Sequence, residues 1–157
     1  MAFETTLTGV LAFGALCAGL ACAAPAAATP GLNERVVADP ASGIALFGYD
    51  PVAYFTEGRP VLGKRVFEAE WGGAAWRFAS AANRAVFLSA PEVYAPQFGG
   101  YDPLAVARGR AAAGHPQVFA VLRDRLYLFR SPDARDSFAD PAPAVAEWPA
   151  VERDLTP

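Results

Sequence analysis

Val66-Phe67-Glu68-Ala69-Glu70-Trp71, followed by Gly72-Gly73 and then Ala75-Trp76-Arg77-Phe78, is the stretch that decides the fold. Apolar and polar side chains alternate on either side of the glycine pair, which is the period of a pleated strand. Two such runs joined by a two-residue glycine turn predict an antiparallel hairpin. Phe67, Ala69 and Trp71 are expected to share its core-facing side. A second pair of runs follows, Val118-Phe119-Ala120-Val121-Leu122 and Leu126-Tyr127-Leu128-Phe129, with Arg123-Asp124 at the turn. These are almost continuously apolar, so they are expected to be central and covered on both faces.

Helices are announced by their first residues. Ser80 precedes Ala81 to Leu88, a small and apolar run that Pro91 ends. Asp102-Pro103 opens Leu104-Ala105-Val106-Ala107-Arg108 and Gly109 closes it, an N-cap acid with proline in the first turn and glycine at the end. Ser131-Pro132 repeats that start, and Ala144 to Trp148 forms a last amphipathic stretch that meets Pro149. Two antiparallel β-hairpins packed against several short helices make a small single α+β domain. Residues 29–43, rich in proline and glycine, are expected to be a linker, either a tether or a first extended pass, with the folded unit beginning near Ile44 and running to residue 155; no internal repeat is read.

The chain of 157 residues is 54% hydrophobic and 18% charged, so it can bury a core and is not intrinsically disordered. Its net charge is −3 and its basic residues are arginines scattered singly, with Lys64 the one lysine, so no basic stripe is present to follow a phosphate backbone and nucleic acid is not an expected partner. Between Leu7 and Ala28 there is no charge. Residues 1–28 therefore read as a signal peptide with small residues at Ala26 and Ala28, or else as an uncleaved membrane anchor over residues 7–24. Either way the domain is expected to be exported, periplasmic or extracytoplasmic. Cys17 and Cys22 both fall in this leader, leaving the domain without a thiol.

Most catalytic signatures are missing: there is no G-x-S-x-G elbow, no P-loop, no dinucleotide fingerprint and no C-x-x-C, and the single histidine is His115. The candidates for chemistry are aromatic and acidic turn residues, in Phe47-Gly48-Tyr49-Asp50-Pro51-Val52-Ala53-Tyr54-Phe55 and in Pro91 to Pro103. Tyr49, Tyr54, Tyr94 and Tyr101 can ring a pocket, or pack as amphipathic aromatics whose hydroxyls bond loop backbone. Asp50 and Asp102, each before a proline, read first as capping acids. Arg84 is expected to pair with one of them. The plain reading of His115 is a solvent-exposed loop histidine. A hard-metal or enzymatic alternative uses Asp102 as ligand or general base, with Tyr101 and His115 nearby.

Gly48-Tyr49-Asp50-Pro51-Val52-Ala53-Tyr54-Phe55, Phe78-Ala79-Ser80 with Asn83-Arg84 and Phe87, Tyr94-Ala95-Pro96-Gln97-Phe98-Gly99-Gly100-Tyr101, and Leu126-Tyr127-Leu128 together resemble the YHS-domain family in its exported bacterial form. The resemblance covers residues 44 to about 149. It implies a compact α+β domain associated with copper or other heavy-metal handling, with a metal ion or small molecule as partner. The candidate ligand-binding residues in this chain are Tyr49, Asp50, Tyr54 and Tyr101, and the candidate metal ligands are Asp102 and His115. Members of this form typically carry cysteine or selenocysteine directly after Gly-Gly-Tyr, where this chain has Asp102. A carboxylate is a hard ligand without reversible redox chemistry. The expectation is therefore a binding module with a degenerate soft-ligand site, which recognises rather than transforms, with no protein partner indicated and membrane contact only through the leader.

Overall fold

The computed structural model describes Met1 and residues 34–155. The leader and the start of the linker lie outside the described residues, and no described helix is long and apolar enough to cross a membrane. The elements run α1 (Ala53–Thr56), β1 (Lys64–Trp71), β2 (Ala74–Phe78), α2 (Ala81–Ser89), α3 (Pro91–Tyr94), α4 (Pro103–Val106), β3 (His115–Leu122), β4 (Arg125–Phe129), α5 (Pro132–Asp136) and α6 (Ala142–Arg153), with 3-10 turns at Leu46–Gly48 and Gln97–Gly100. The two sheets are separate antiparallel hairpins, β1 with β2 and β3 with β4. This is the α+β architecture that the hairpin reading predicts.

An internal repeat, which the sequence reading did not find, organises the molecule. Each half begins with a 3-10 turn with three successive residues at positive φ, Leu46-Phe47-Gly48 and Phe98-Gly99-Gly100, whose last glycine opens Gly-Tyr-Asp-Pro, residues 48–51 and 100–103. Tyr49 bridges to Leu62 and Tyr101 to Ala113. Asp50 N–H bonds Val61 C=O and Asp102 N–H bonds Ala112 C=O, both at 2.8 Å. The hairpin registers correspond as well: Lys64 with Phe78, Glu68 with Arg77 and Trp71 with Ala74 in the first, His115 with Phe129, Phe119 with Leu128 and Leu122 with Arg125 in the second, each with an irregularity at the same place. Both turns have two residues at positive φ, Gly72 and Gly73 in one, Arg123 and Asp124 in the other, the requirement of a type I′ turn. Ser80 and Ser131 then cap α2 and α5 by accepting from Asn83 N–H and Ala134 N–H. Phe87 packs 5.1 Å from both Trp76 and Phe78, and Phe138 packs 5.1 Å from Tyr127 and 5.2 Å from Phe129.

Strand β4 joins the halves. Leu126 and Leu128 enter the core that holds Leu46, Tyr54, Trp76, Phe78 and Phe87, while Tyr127 and Phe129 enter the core that holds Val37, Phe98, Tyr101, Val106 and Val151. Alternation sends successive side chains to opposite cores, so the continuous apolar run is a strand covered on both faces. Strand β3 does not follow: His115, Gln117 and Val121 are exposed, so one of its faces is turned to solvent.

The linker expectation also needs correction. Val37 and Ala38 are buried, Val37 N–H bonds Gly99 C=O at 2.8 Å, and Leu46 N–H bonds Val37 C=O at 3.0 Å. The segment from Glu34 is thus a strap across the second 3-10 turn. Gly99 is required there, since a Cβ at its φ of 61° would stand 1.8 Å from Arg35 O. Helix α6 runs unbroken through Pro149, which carries Trp148 and Glu152 over the strap.

Candidate functional site

The two aspartates are embedded in backbone. Asp50 is fully buried; its Oδ1 accepts from Val52 N–H at 2.8 Å, and its Oδ2 accepts from Ala79 N–H at 2.8 Å and Asn83 Nδ2 at 2.7 Å. Asp102 is 3% exposed; Oδ1 accepts from Leu104 N–H at 2.8 Å and Ala105 N–H at 3.4 Å, and Oδ2 accepts from Arg130 N–H at 2.9 Å. Each carboxylate therefore caps the turn that follows its proline and ties that turn to the residue after a hairpin's second strand. Arg84, expected as a partner, is exposed on α2 and reaches neither; backbone N–H groups and Asn83 supply the donors.

The tyrosines do not ring one pocket. Tyr54 is buried, donates to Pro116 C=O at 2.9 Å and packs edge-on to Phe119; burial, reinforced by Tyr49 and Asp50, holds its hydroxyl far above the usual phenol range. Tyr49 accepts from Gln117 Nε2 at 3.0 Å on the same side of the molecule. Tyr101 lies in the other core and donates to Glu34 C=O at 2.6 Å, its ionisation likewise pushed up by burial and then by Glu34. Tyr94 packs on Phe55. These are cross-links between segments, and the hydroxyls of Tyr49, Tyr54 and Tyr101 are committed to backbone or side-chain partners.

His115 is the exposed first residue of β3 instead of a loop residue, and its Nδ1 accepts from Gln117 N–H at 3.2 Å. The cavity beside Asp102 contains neither His115 nor Tyr101, so the three residues of the enzymatic alternative do not converge. Nor do these residues fit copper: Asp102 has its acceptor sites directed at three N–H groups, and among the described residues no group of three His, Cys, Asp or Glu side chains is placed to hold an ion.

What the fold does assemble is an aromatic cavity of about 260 Å³ at the seam of the halves, lined by all three tryptophans of the chain together with Ala95, Pro96 and Gly99 and edged by Arg35 and Glu152. Trp76 is its buried base, fixed by its indole N–H donating to Trp71 C=O at 2.9 Å. Trp71 forms one wall, braced edge-on by Phe87 at 5.7 Å. Trp148 also lines it, braced by Phe98 at 5.6 Å and Tyr101 at 6.3 Å. A second cavity shares Trp71 and Trp148 and is lined further by Gln97, Phe98 and Val145. Braced aromatic side chains with one residue of each charge sign among the lining make a concave, mainly apolar candidate binding site.

In the sequence Trp71 and Trp76 read as hairpin residues, and Trp148 as part of an amphipathic helix or of a final Trp148-Pro149 segment docking on a membrane partner, so none of the three points to a shared cavity. Their number in so short a chain was the available signal; their convergence depends on how the halves pack. No family model, no curated protein and no solved structure matches this chain.

Proposed function

We propose that this chain is an exported, non-catalytic binding module of the YHS type whose ligand is a small organic molecule with a planar or apolar body, seated between Trp71 and Trp148. The observation that carries this reading is the convergence of Trp71, Trp76 and Trp148 on one cavity while both buried carboxylates, Asp50 and Asp102, serve as caps. Aromatic side chains lining a cavity bind through dispersion and desolvation. Arg35 can take a carboxylate at the rim and Glu152 an ammonium. The association with heavy metals that the family resemblance implies would act through the ligand's physiology, since the residues proposed as metal ligands do not meet.

Every tryptophan lies in the cavity wall, so indole fluorescence reports its occupancy. The test is titration of the purified chain with phenol, phenylacetate and benzylammonium. At least one is expected to give a saturable change in emission that Trp148→Leu abolishes while the variant, though less stable, still unfolds in one cooperative transition. Emission unmoved by all three probes, or a response that survives Trp148→Leu and Trp71→Leu together, overturns the assignment.

A further inference from the structure

The internal repeat provides a comparison of two equivalent sites within one molecule. In the first half Asn83, on the first turn of α2, extends its carboxamide to Asp50 Oδ2 at 2.7 Å and fills the space beside that carboxylate. Its counterpart on α5 is Ala134, which has no side chain to do so, and a cavity of about 300 Å³ is open there between α4 and α5. The residue that follows the second strand of each hairpin also differs: Ala79 in the first half, Arg130 in the second. Arg130 is joined at this cavity by Arg108 and Arg110 from the loop after α4. Among the described residues none of these three guanidiniums makes an ion pair or side-chain hydrogen bond, whereas Arg59, Arg77 and Arg135 each pair with a carboxylate.

Three unpaired guanidiniums around one concavity repel one another unless an anion sits among them. Asp102 contributes one negative charge at the wall, but its oxygens already accept from Leu104, Ala105 and Arg130 N–H groups, so a net positive charge of two faces the space. The Ser131 hydroxyl accepts from Ala134 N–H and keeps its proton free to donate into the cavity. Guanidinium forks match oxyanions, and three of them, two from the loop after α4 and one from the end of β4, offer several donors to one ion, which suits a tetrahedral oxyanion better than a planar carboxylate. We propose that this cavity binds a small tetrahedral oxyanion of the phosphate or sulfate class among Arg108, Arg110 and Arg130. The site is independent of the tryptophan cavity.

The arginines are exposed, so binding is screened by salt and its dissociation constant is expected on the order of 1 mM at low ionic strength. The experiment is calorimetric titration of the full chain with inorganic phosphate, with sulfate and acetate as parallel arms. Phosphate and sulfate are expected to bind saturably and acetate about tenfold more weakly. Arg108→Gln and Arg130→Gln should each weaken phosphate about tenfold, and Ala134→Asn, which restores the carboxamide of the first half, should abolish binding while leaving the melting temperature unchanged or raised. Absence of saturable phosphate binding overturns the proposal. So does binding that persists in Ala134→Asn or in the double variant Arg108→Gln, Arg130→Gln, and acetate binding as tightly as phosphate refutes the tetrahedral preference.

Discussion

Replacing Asp50 by alanine tests whether the buried carboxylates hold the fold together. The side chain is fully buried and accepts three bonds of 2.7 to 2.8 Å, from Val52 N–H, Ala79 N–H and Asn83 Nδ2. A hydrogen bond to a charged group contributes about 1.5–3 kcal/mol, and removing the acceptor leaves its donors to find other partners. The desolvation of the carboxylate offsets part of this, so the net loss for Asp50→Ala is about 3–4 kcal/mol, a large fraction of the ~5–15 kcal/mol total of a domain this size. Asp102→Ala removes two short bonds and one long one of 3.4 Å and should cost about 2–3 kcal/mol. Asn83→Ala, which copies the second half's arrangement, removes a single bond and should cost about 1.5 kcal/mol. Urea unfolding followed by tryptophan emission gives each value from the midpoint at constant slope. A loss under about 1 kcal/mol for Asp50→Ala, the size of an exposed helix cap, would refute the reasoning. A loss for Asp102→Ala equal to or above that for Asp50→Ala would also contradict the bond geometry.

Two further outcomes follow from the same packing. A Cβ on Gly63 would stand 2.5 Å from the Arg77 carbonyl carbon, and one on Gly114 would stand 2.6 Å from Leu128 Cβ, so Gly63→Ala and Gly114→Ala should each destabilise by about 2–4 kcal/mol through overpacking, measured by the same unfolding curves; changes below about 0.5 kcal/mol would show that the backbone yields there. Burial keeps Tyr54 protonated in the folded chain at pH values where the unfolded chain ionises, so stability is full below the ordinary phenol value of 10.0 and falls as pH rises above it. Tyr54→Phe should flatten that fall, without removing it because Tyr101 shifts in the same direction, and should cost about 1 kcal/mol at neutral pH through the lost bond to Pro116. An unchanged alkaline slope in Tyr54→Phe would count against the buried hydroxyl.

Local chemistry was enough for the hairpins and helix starts. The alternation of Val66 to Trp71, the Gly72-Gly73 turn and the Ser80, Asp102 and Ser131 caps depend on periods and on neighbours within a few residues, and such interactions are written in the chain itself. The capping role of Asp102 was legible for the same reason. The repeat was present as Gly-Tyr-Asp-Pro at residues 48–51 and 100–103, but the surrounding residues have diverged so far, Trp76 to Tyr127 and Asn83 to Ala134, that only matching registers and ring packings expose it.

What tertiary structure alone decided is which side chains meet. Asp102 and His115 looked like possible partners along the chain, yet they face different surroundings. Trp71 and Trp148, separated by most of the domain in sequence, line one cavity because β4 divides its side chains between two cores and so brings the two halves together. Sequence carries local conformational preference; convergence of distant groups depends on the packing of whole halves, in which burial of apolar surface everywhere outweighs any single contact.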